Sequence, residues 1–296
     1  MNAHWNNKNI LPEFVSTIQN EMIYGGFFAA LSGPAFIITA SIMTKTNVTI
    51  PLLVISYLIP LMVYSYDHYS DMDKDKDSNI ERAAHFNKKS HIYPYLLVGY
   101  ALTLTVLLLV FSNLEMISFI LILVMVGVLY TIGLKKFTQK IPAFKNIYTT
   151  LTWSLAGTLS IPFFYALQIN LAYILILLFI FLKFLPNTIF FDLKDINCDQ
   201  KERLKTLPVI LGKEKTLKFL DKLNIIAFIP LFIGIYLKII PLFTVIMILF
   251  YFYSRYYLNK AGKLDDKELR MVSYTLADAE FMIWPLILII GKTIGF

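Results

Sequence analysis

A chain of 296 residues that is 57% hydrophobic and only 16% charged, with a mean hydropathy of +0.63, is too apolar to be an ordinary soluble globule. Its formal net charge of +7 comes from 27 basic against 20 acidic residues, and its single cysteine, Cys198, excludes an internal disulfide. No zinc-type cluster, low-complexity linker or soluble domain interrupts it and no cleavable signal pattern opens it, so one membrane domain over residues 1–296 is expected.

Crossing the roughly 30 Å hydrocarbon layer takes about 20 apolar residues in a helix. After a polar, mixed segment of 20 residues, such runs occur at Ile23–Met43, Thr49–Tyr66, Tyr93–Phe111 and Leu114–Leu134. Five more follow at Ile147–Leu167, Leu171–Phe191, Asn224–Leu237, Ile239–Tyr257 and Val272–Ile290. The expected class is therefore all-α integral membrane, with nine transmembrane helices. The seventh run is short, and only Lys238 and the turn signal at Pro241 separate it from the eighth. Fusion of those two would break the topology.

The distribution of lysine and arginine orients the chain. With the N-terminus inside, 23 of the 27 basic residues fall in cytoplasmic segments, and only Lys45, Lys238 and Lys292 fall outside, with Lys183 within the sixth span. A multi-pass protein of the cell membrane is expected, its N-terminus and the loops after spans 2 and 6 being cytoplasmic. The basic loops are read as orientation signals and contacts to anionic lipid, with no nucleic-acid partner.

Two clusters of aspartate stand where such a chain should least tolerate them. Asp67, Asp71 and Asp75 close the second run at spacing i, i+4, i+8; Asp192, Asp195 and Asp199 close the sixth at i, i+3, i+7. On a helix each spacing projects three carboxylates from one face. Carboxylates so close repel unless a cation neutralises them, and an oxygen-only ligand set points to Mg2+. Because Mg2+ is commonly shared between one or two carboxylates and a substrate phosphate, two facing triplets suit a diphosphate held by two or more ions. Asp73 and Asp77 fall off the stripe, alternate with Lys74 and Lys76, and read as solvated. An acidic motif after span 2 and another after span 6, each leading into a basic loop, also form a weak internal symmetry.

Asp67-His68-Tyr69-Ser70-Asp71-Met72-Asp73-Lys74-Asp75 resembles the first motif, N/D-x-x-x-D-x-x-x-D, of the UbiA-type intramembrane prenyltransferases. Asp192-Leu193-Lys194-Asp195-Ile196-Asn197-Cys198-Asp199, followed by Lys205-Thr206-Leu207-Pro208-Val209 and Gly212, is similar to that family's second motif, D-x-x-D-x-x-x-D with T-L-P-V-x-x-G. Between them, Tyr130-Thr131, Lys135, Lys136, Pro142, Lys145 and Asn146 resemble the tyrosine and basic segment after span 4. The resemblance covers almost the whole chain.

It implies a helical bundle around a central cavity, capped on the cytoplasmic side by the acidic loops and open laterally to lipid. A polyprenyl diphosphate would set its head at the Mg2+ ions and its tail among the spans, and a hydrophobic acceptor would receive the prenyl group. One ion would be held by Asp67, Asp71 and Asp75 and the other by Asp192, Asp195 and Asp199, with turnover depending above all on Asp71 and Asp195. Arg82, Lys136, Lys145 and Lys201 would bind diphosphate oxygens, and Tyr130 would orient them. The 24 Phe and 18 Tyr supply faces that stabilise an allylic cation.

The chain departs from the pattern in three places. Asp67 replaces the commoner asparagine, Cys198 stands where glycine is frequent, and Asn79-Ile80-Glu81-Arg82 replaces an arginine-proline signature. The acceptor is therefore left open, with a terpene cyclase acting without acceptor as the alternative enzyme. A transporter or lipid-binding membrane protein, with the acidic stripes as a cation pathway, is the non-enzymatic reading, against which the carboxylates sit at span ends and away from the midplane. Lys183, an ionisable group within a span, is read either as functional or as snorkelling or pairing with an aspartate. Pro186 and Asn187 are expected to loosen the helix before the second motif, and His68, His85 and His91 read as loop residues.

Overall fold

The computed structural model describes residues 21–70, 72 and 80–295, and only the backbone of residues 80–82, 88, 89 and 135. Among the described residues every regular element is helical. The first half consists of α1 (Phe27–Thr44), α2 (Ile50–Ser70), α3 (Ile80–Lys89), α4 (Tyr93–Phe111), α5 (Leu114–Ile132), α6 (Phe144–Phe164) and α7 (Leu171–Phe191). After a 3-10 turn at Asp192–Lys194 come α8 (Ile196–Lys201), α9 (Leu207–Leu211), α10 (Lys213–Ile226) and α11 (Ile229–Tyr236). A 3-10 segment Leu242–Ile248 then runs into α12 (Leu249–Ala261), and α13 (Asp266–Val272) leads through a π-turn, Ser273–Ala277, into α14 (Asp278–Ile294).

Seven stretches are long and apolar enough to cross a membrane: Phe27–Thr44, Ile50–Ser70, Tyr93–Phe111, Leu114–Ile132, Leu171–Lys194, Lys213–Tyr236 and Asp266–Ile294. The other two expected spans coincide with α6, whose 21 residues include Thr150, Thr152, Ser154, Thr158 and Ser160, and with Leu242–Ala261, which is 3-10 over its first part. Length and apolarity alone do not qualify these two. The seventh run is longer than its apolar residues imply, because α10 carries the rod back to Lys213. It does not fuse with the eighth. The chain turns at residues 237–241, where Lys238 adopts φ 58° and the N–H groups of Ile239 and Ile240 both return to Gly234 O at 3.0 and 3.1 Å. A Cβ on Gly234 would lie 2.4 Å from Ile240 Cδ1, so the turn needs glycine there.

Helix α1 lies at the centre and packs against α2, α6, α7 and α14. Its crossing with α2 is so close that a Cβ on Gly33 would stand 2.1 Å from Ser56 O. Phe36 on the same helix is fully buried, with the rings of Phe184 and Phe281 both at 5.4 Å, Trp284 at 5.7 Å and Trp153 at 6.0 Å. Helices α4 and α5 lie at the periphery, where Leu102, Leu109 and Leu121 are more than half exposed, as lipid-facing side chains are.

Helix α7 runs unbroken through Pro186, so the expected loosening does not occur. Lys183 on α7 does not snorkel, and its partner is a glutamate. Its Nζ lies 2.7 Å from Glu280 Oε1 on α14 and donates to Asn224 Oδ1 on α10 (2.6 Å), Ser254 Oγ on α12 (2.5 Å) and Phe250 O (3.0 Å). Tyr257 and Ser254 hydroxyls complete the acceptor side, donating to Glu280 at 3.0 and 2.8 Å. A charge in an apolar bundle persists only with such full satisfaction, and removing one member strands the other. Lys183→Met alone is expected to cost about 3–5 kcal/mol, and the double variant with Glu280→Leu to regain most of it. Thermal unfolding in detergent measures both; equal melting of single and double variants would show that the pair is not coupled.

Candidate active site

A cavity of about 420 Å3 opens between α1, α2, α5, α6, α7 and α14. Its polar end is built from Asp67, Asp192, Asp195, Asp199, Lys145 and Lys194, and its apolar end from Ile59, Pro60, Trp153, Ala156 and Phe184. Tyr64 stands between them on α2, and its ring stacks at 6.0 Å on that of His68, one turn further toward the polar end.

The second acidic motif does not lie on one helix. Helix α7 ends at Phe191, Asp192–Lys194 form a 3-10 turn, and Asp195 precedes α8. The elbow still turns all three carboxylates into the same cavity. Asp192 is buried, with Lys145 Nζ at 3.0 Å from Oδ1 and Asn146 Nδ2 donating to Oδ2 at 2.8 Å. Lys194 Nζ reaches Asp195 Oδ2 at 2.5 Å and lies over the rings of Phe191 and Tyr274 at 5.8 and 5.7 Å. Asp199 accepts from Thr206 Oγ1 at 3.0 Å; burial pushes its carboxyl up to about 6, outweighing the opposing effects of Lys145 and the threonine. Burial also raises the thiol of Cys198, which lines the cavity between Asp195 and Asp199.

The segment that follows α8 is fixed to the loop before α6. Lys205 N donates to Thr138 O at 2.8 Å, Ala143 N to Lys205 O at 3.0 Å, and Gln139 Nε2 to Glu202 O at 3.1 Å. Lys145 therefore meets Asp192 through two segments already clipped together.

On the opposite wall, Asp67 at the end of α2 accepts from Thr131 Oγ1 at 2.9 Å, and Tyr130 packs beside it against Tyr148 at 5.1 Å. Asp71 and Asp75 lie outside the described residues, as does the side chain of Arg82. Lys136 and Lys201 are exposed and do not line the cavity. His68 belongs to α2 and lines the cavity, and His85 sits in α3 at 3.4 Å from Glu21; neither is a loop residue.

Two contributors were missed by sequence reasoning. Lys194 was hidden inside the acidic motif, and Asp278, the first residue of α14, was overlooked although an acid within a span is a functional signal in its own right. Among the described residues no three carboxylate, imidazole or thiol groups are grouped closely enough to enclose a metal ion. The oxygen donors present fit Mg2+ nonetheless, since that ion completes its shell with water and substrate phosphate.

The sequence profile of the UbiA prenyltransferase family matches residues 95–277, more than half of the chain. The chain belongs to this family. A UbiA homologue from Aeropyrum pernix K1 superposes with a TM-score of 0.69 at 11% identity, covering 90% of this chain and 97% of that one. A digeranylgeranylglyceryl phosphate synthase gives 0.60 at 18% identity (93% and 98% covered). A UbiA homologue from Archaeoglobus fulgidus bound to GPP and Mg2+ gives 0.59 at 15% identity (92% and 99%). At these identities the structures establish the shared fold. No curated protein matches the sequence. Seven apolar helices and membership of the UbiA family make this a multi-pass membrane protein.

The raised Asp199 carboxyl gives a signed stability effect in the cation-free protein. A folded value of about 6 against an ordinary 3.8 means that the neutral form is favoured by folding. Its stabilisation is full below about pH 4 and is lost as pH rises through about 6. In EDTA, wild-type melting should fall over that window relative to Asp199→Asn. Parallel profiles for the two proteins would overturn this assignment.

Proposed function

We propose that this UbiA-family protein is a Mg2+-dependent intramembrane prenyltransferase, which ionises a polyprenyl diphosphate and joins the prenyl group to a lipid-soluble or aromatic acceptor. The observation that carries this reading is the two-ended cavity, whose carboxylates and lysines converge at one end while aromatic and aliphatic side chains line the other. A diphosphate with an apolar tail has that division of polarity.

Asp67, Asp71 and Asp75 on one side and Asp192, Asp195 and Asp199 on the other would hold the ions. Bound Mg2+ supplies positive charge to the departing diphosphate. Lys145 and Lys194, each already within 3.0 Å of a motif carboxylate, are placed to add to that charge as the C1–O bond breaks and its electron pair leaves with the diphosphate. Trp153, Tyr64 and Phe184 present faces to the allylic cation and exclude water, which would otherwise quench it. The acceptor then bonds to C1 and loses a proton.

The nine-span, single-domain arrangement with cytoplasmic acidic loops belongs to this same reading. It is supported by the separate rods at α6 and Leu242–Ala261 and by the inward bias of basic residues. The deciding assay incubates purified protein in nanodiscs with Mg2+ and geranylgeranyl or farnesyl diphosphate, with and without 4-hydroxybenzoate, 1,4-dihydroxy-2-naphthoate or geranylgeranylglyceryl phosphate, followed by mass spectrometry. An acceptor-dependent adduct abolished by EDTA is expected; a hydrocarbon or alcohol formed without acceptor would make the protein a terpene cyclase instead. Asp71→Ala and Asp195→Ala should each abolish turnover in folded protein, whereas Asp77→Ala should be nearly silent. Near-normal turnover in either of the first two would sink the two-ion arrangement.

A further inference from the structure

Asp278 is a carboxylate of the cavity that belongs to neither acidic motif. Three features set it apart from the other acids there. First, Asp67, Asp192, Asp195 and Asp199 each accept a hydrogen bond from a threonine, asparagine or lysine and Glu202 accepts one from the Cys198 thiol at 3.8 Å, but Asp278 accepts none among the described residues. The neighbouring cation, Lys194, is committed to Asp195 at 2.5 Å. Second, Asp278 faces the same part of the cavity as Tyr64 and Trp153, where the polar end meets the apolar end.

Third, its direction is fixed from both sides along the chain. It follows the π-turn Ser273–Ala277, and such a turn shifts the register of every later side chain around the helix axis. Two of its carbonyls accept from side chains of neighbouring helices: Tyr253 Oη donates to Leu276 O at 2.9 Å and Asn187 Nδ2 to Ala277 O at 2.9 Å. Two residues beyond, Glu280 points to the opposite side and is locked by Lys183 at 2.7 Å. About 100° per residue separates neighbours on a helix, so anchoring Glu280 outward into the protein leaves Asp278 directed at the cavity. An irregular turn held by two dedicated hydrogen bonds and a buried ion pair is an expensive way to aim one carboxylate.

We propose that Asp278 is the base of the transfer step, and that it accepts the proton which the acceptor loses when its nucleophilic atom bonds to C1 of the prenyl group. This rests on the prenyltransferase reading above. In the step, the C1–O bond breaks with its electron pair on the diphosphate, and a bond forms between C1 and the acceptor oxygen or ring carbon. The proton formerly on that atom passes to a carboxylate oxygen of Asp278, which yields it to water when the product leaves. A base at the junction of the two ends meets the acceptor beside C1, and it belongs to neither of the motifs whose charge the ions would neutralise.

The test separates binding from transfer. Wild type, Asp278→Asn and Asp278→Glu are compared for Mg2+-dependent binding of geranylgeranyl thiolodiphosphate, followed by tryptophan fluorescence, and for transfer to whichever of the three acceptors above wild type uses. The expected result is that Asp278→Asn binds the analogue within about twofold of wild type but transfers at least 100-fold more slowly, in the range of a lost general base. Asp278→Glu should recover part of the rate. Transfer by Asp278→Asn within a few-fold of wild type would overturn the assignment. So would loss of analogue binding, which would make Asp278 part of the ion or diphosphate site. Failure of wild type itself to bind the analogue would overturn the underlying prenyltransferase reading instead.

Discussion

The whole structure depends on one constraint: a charge held among apolar helices must be matched there, since no bulk water is at hand to solvate it. Helix α7 satisfies that constraint for two charges, Lys183 within it and Asp192 just past its end, and adds a neutral tie between them. Lys183 is matched by Glu280 with Asn224 and Ser254, Asn187 holds the carbonyl of Ala277, and Asp192, just past the helix end, is matched by Lys145 and Asn146. These contacts tie α7 to α10, α12, α14 and α6. The helix that carries the second acidic motif is thus also the one that organises its neighbours, and the carboxylates inherit their positions from it.

The same logic separates the two acids of α14. Glu280 is fully satisfied and serves the bundle, whereas Asp278, two residues earlier, is left facing the cavity. The π-turn before them lets one short segment do both, because a regular helix entering from α13 would present a different pair of positions. Irregular backbone there is supported by Tyr253 and Asn187, which donate to the carbonyls of Leu276 and Ala277.

Much of this was legible in the sequence because membrane burial writes itself as long apolar runs, and because aspartates in such a chain stand out. The rods around Tyr93–Phe111, Leu114–Ile132 and Leu171–Phe191 fall where hydropathy places them. Helix α10 did not announce itself, since Lys213–Leu223 is amphipathic and its polar face mimics a loop. Helical spacing grouped Asp192, Asp195 and Asp199 on one face, whereas they reach the same cavity through a 3-10 elbow, and the bonds that pin the segment after it, between Lys205 and both Thr138 and Ala143, are long-range and invisible to periodicity. Among basic residues the sequence offered no means of choosing, and the structure separates Lys145 and Lys194 at the cavity from Lys136 and Lys201 in the open. Lys183 found a glutamate on a helix almost a hundred residues away, a pairing that only the packing of α7 on α12 and α14 could reveal.

Cys198 is the chain's one thiol, and it lines the cavity between two motif carboxylates. The protein therefore carries its own spectroscopic handle: a thiol-directed fluorophore can attach at a single atom, and that atom borders the cavity. Because burial and the flanking carboxylates hold the thiol in its protonated form, labelling will be slow at neutral pH and quicken in alkali. Any molecule that fills the polar end will shield it, so the rate of that one alkylation is a readout of occupancy that needs neither turnover nor an engineered residue.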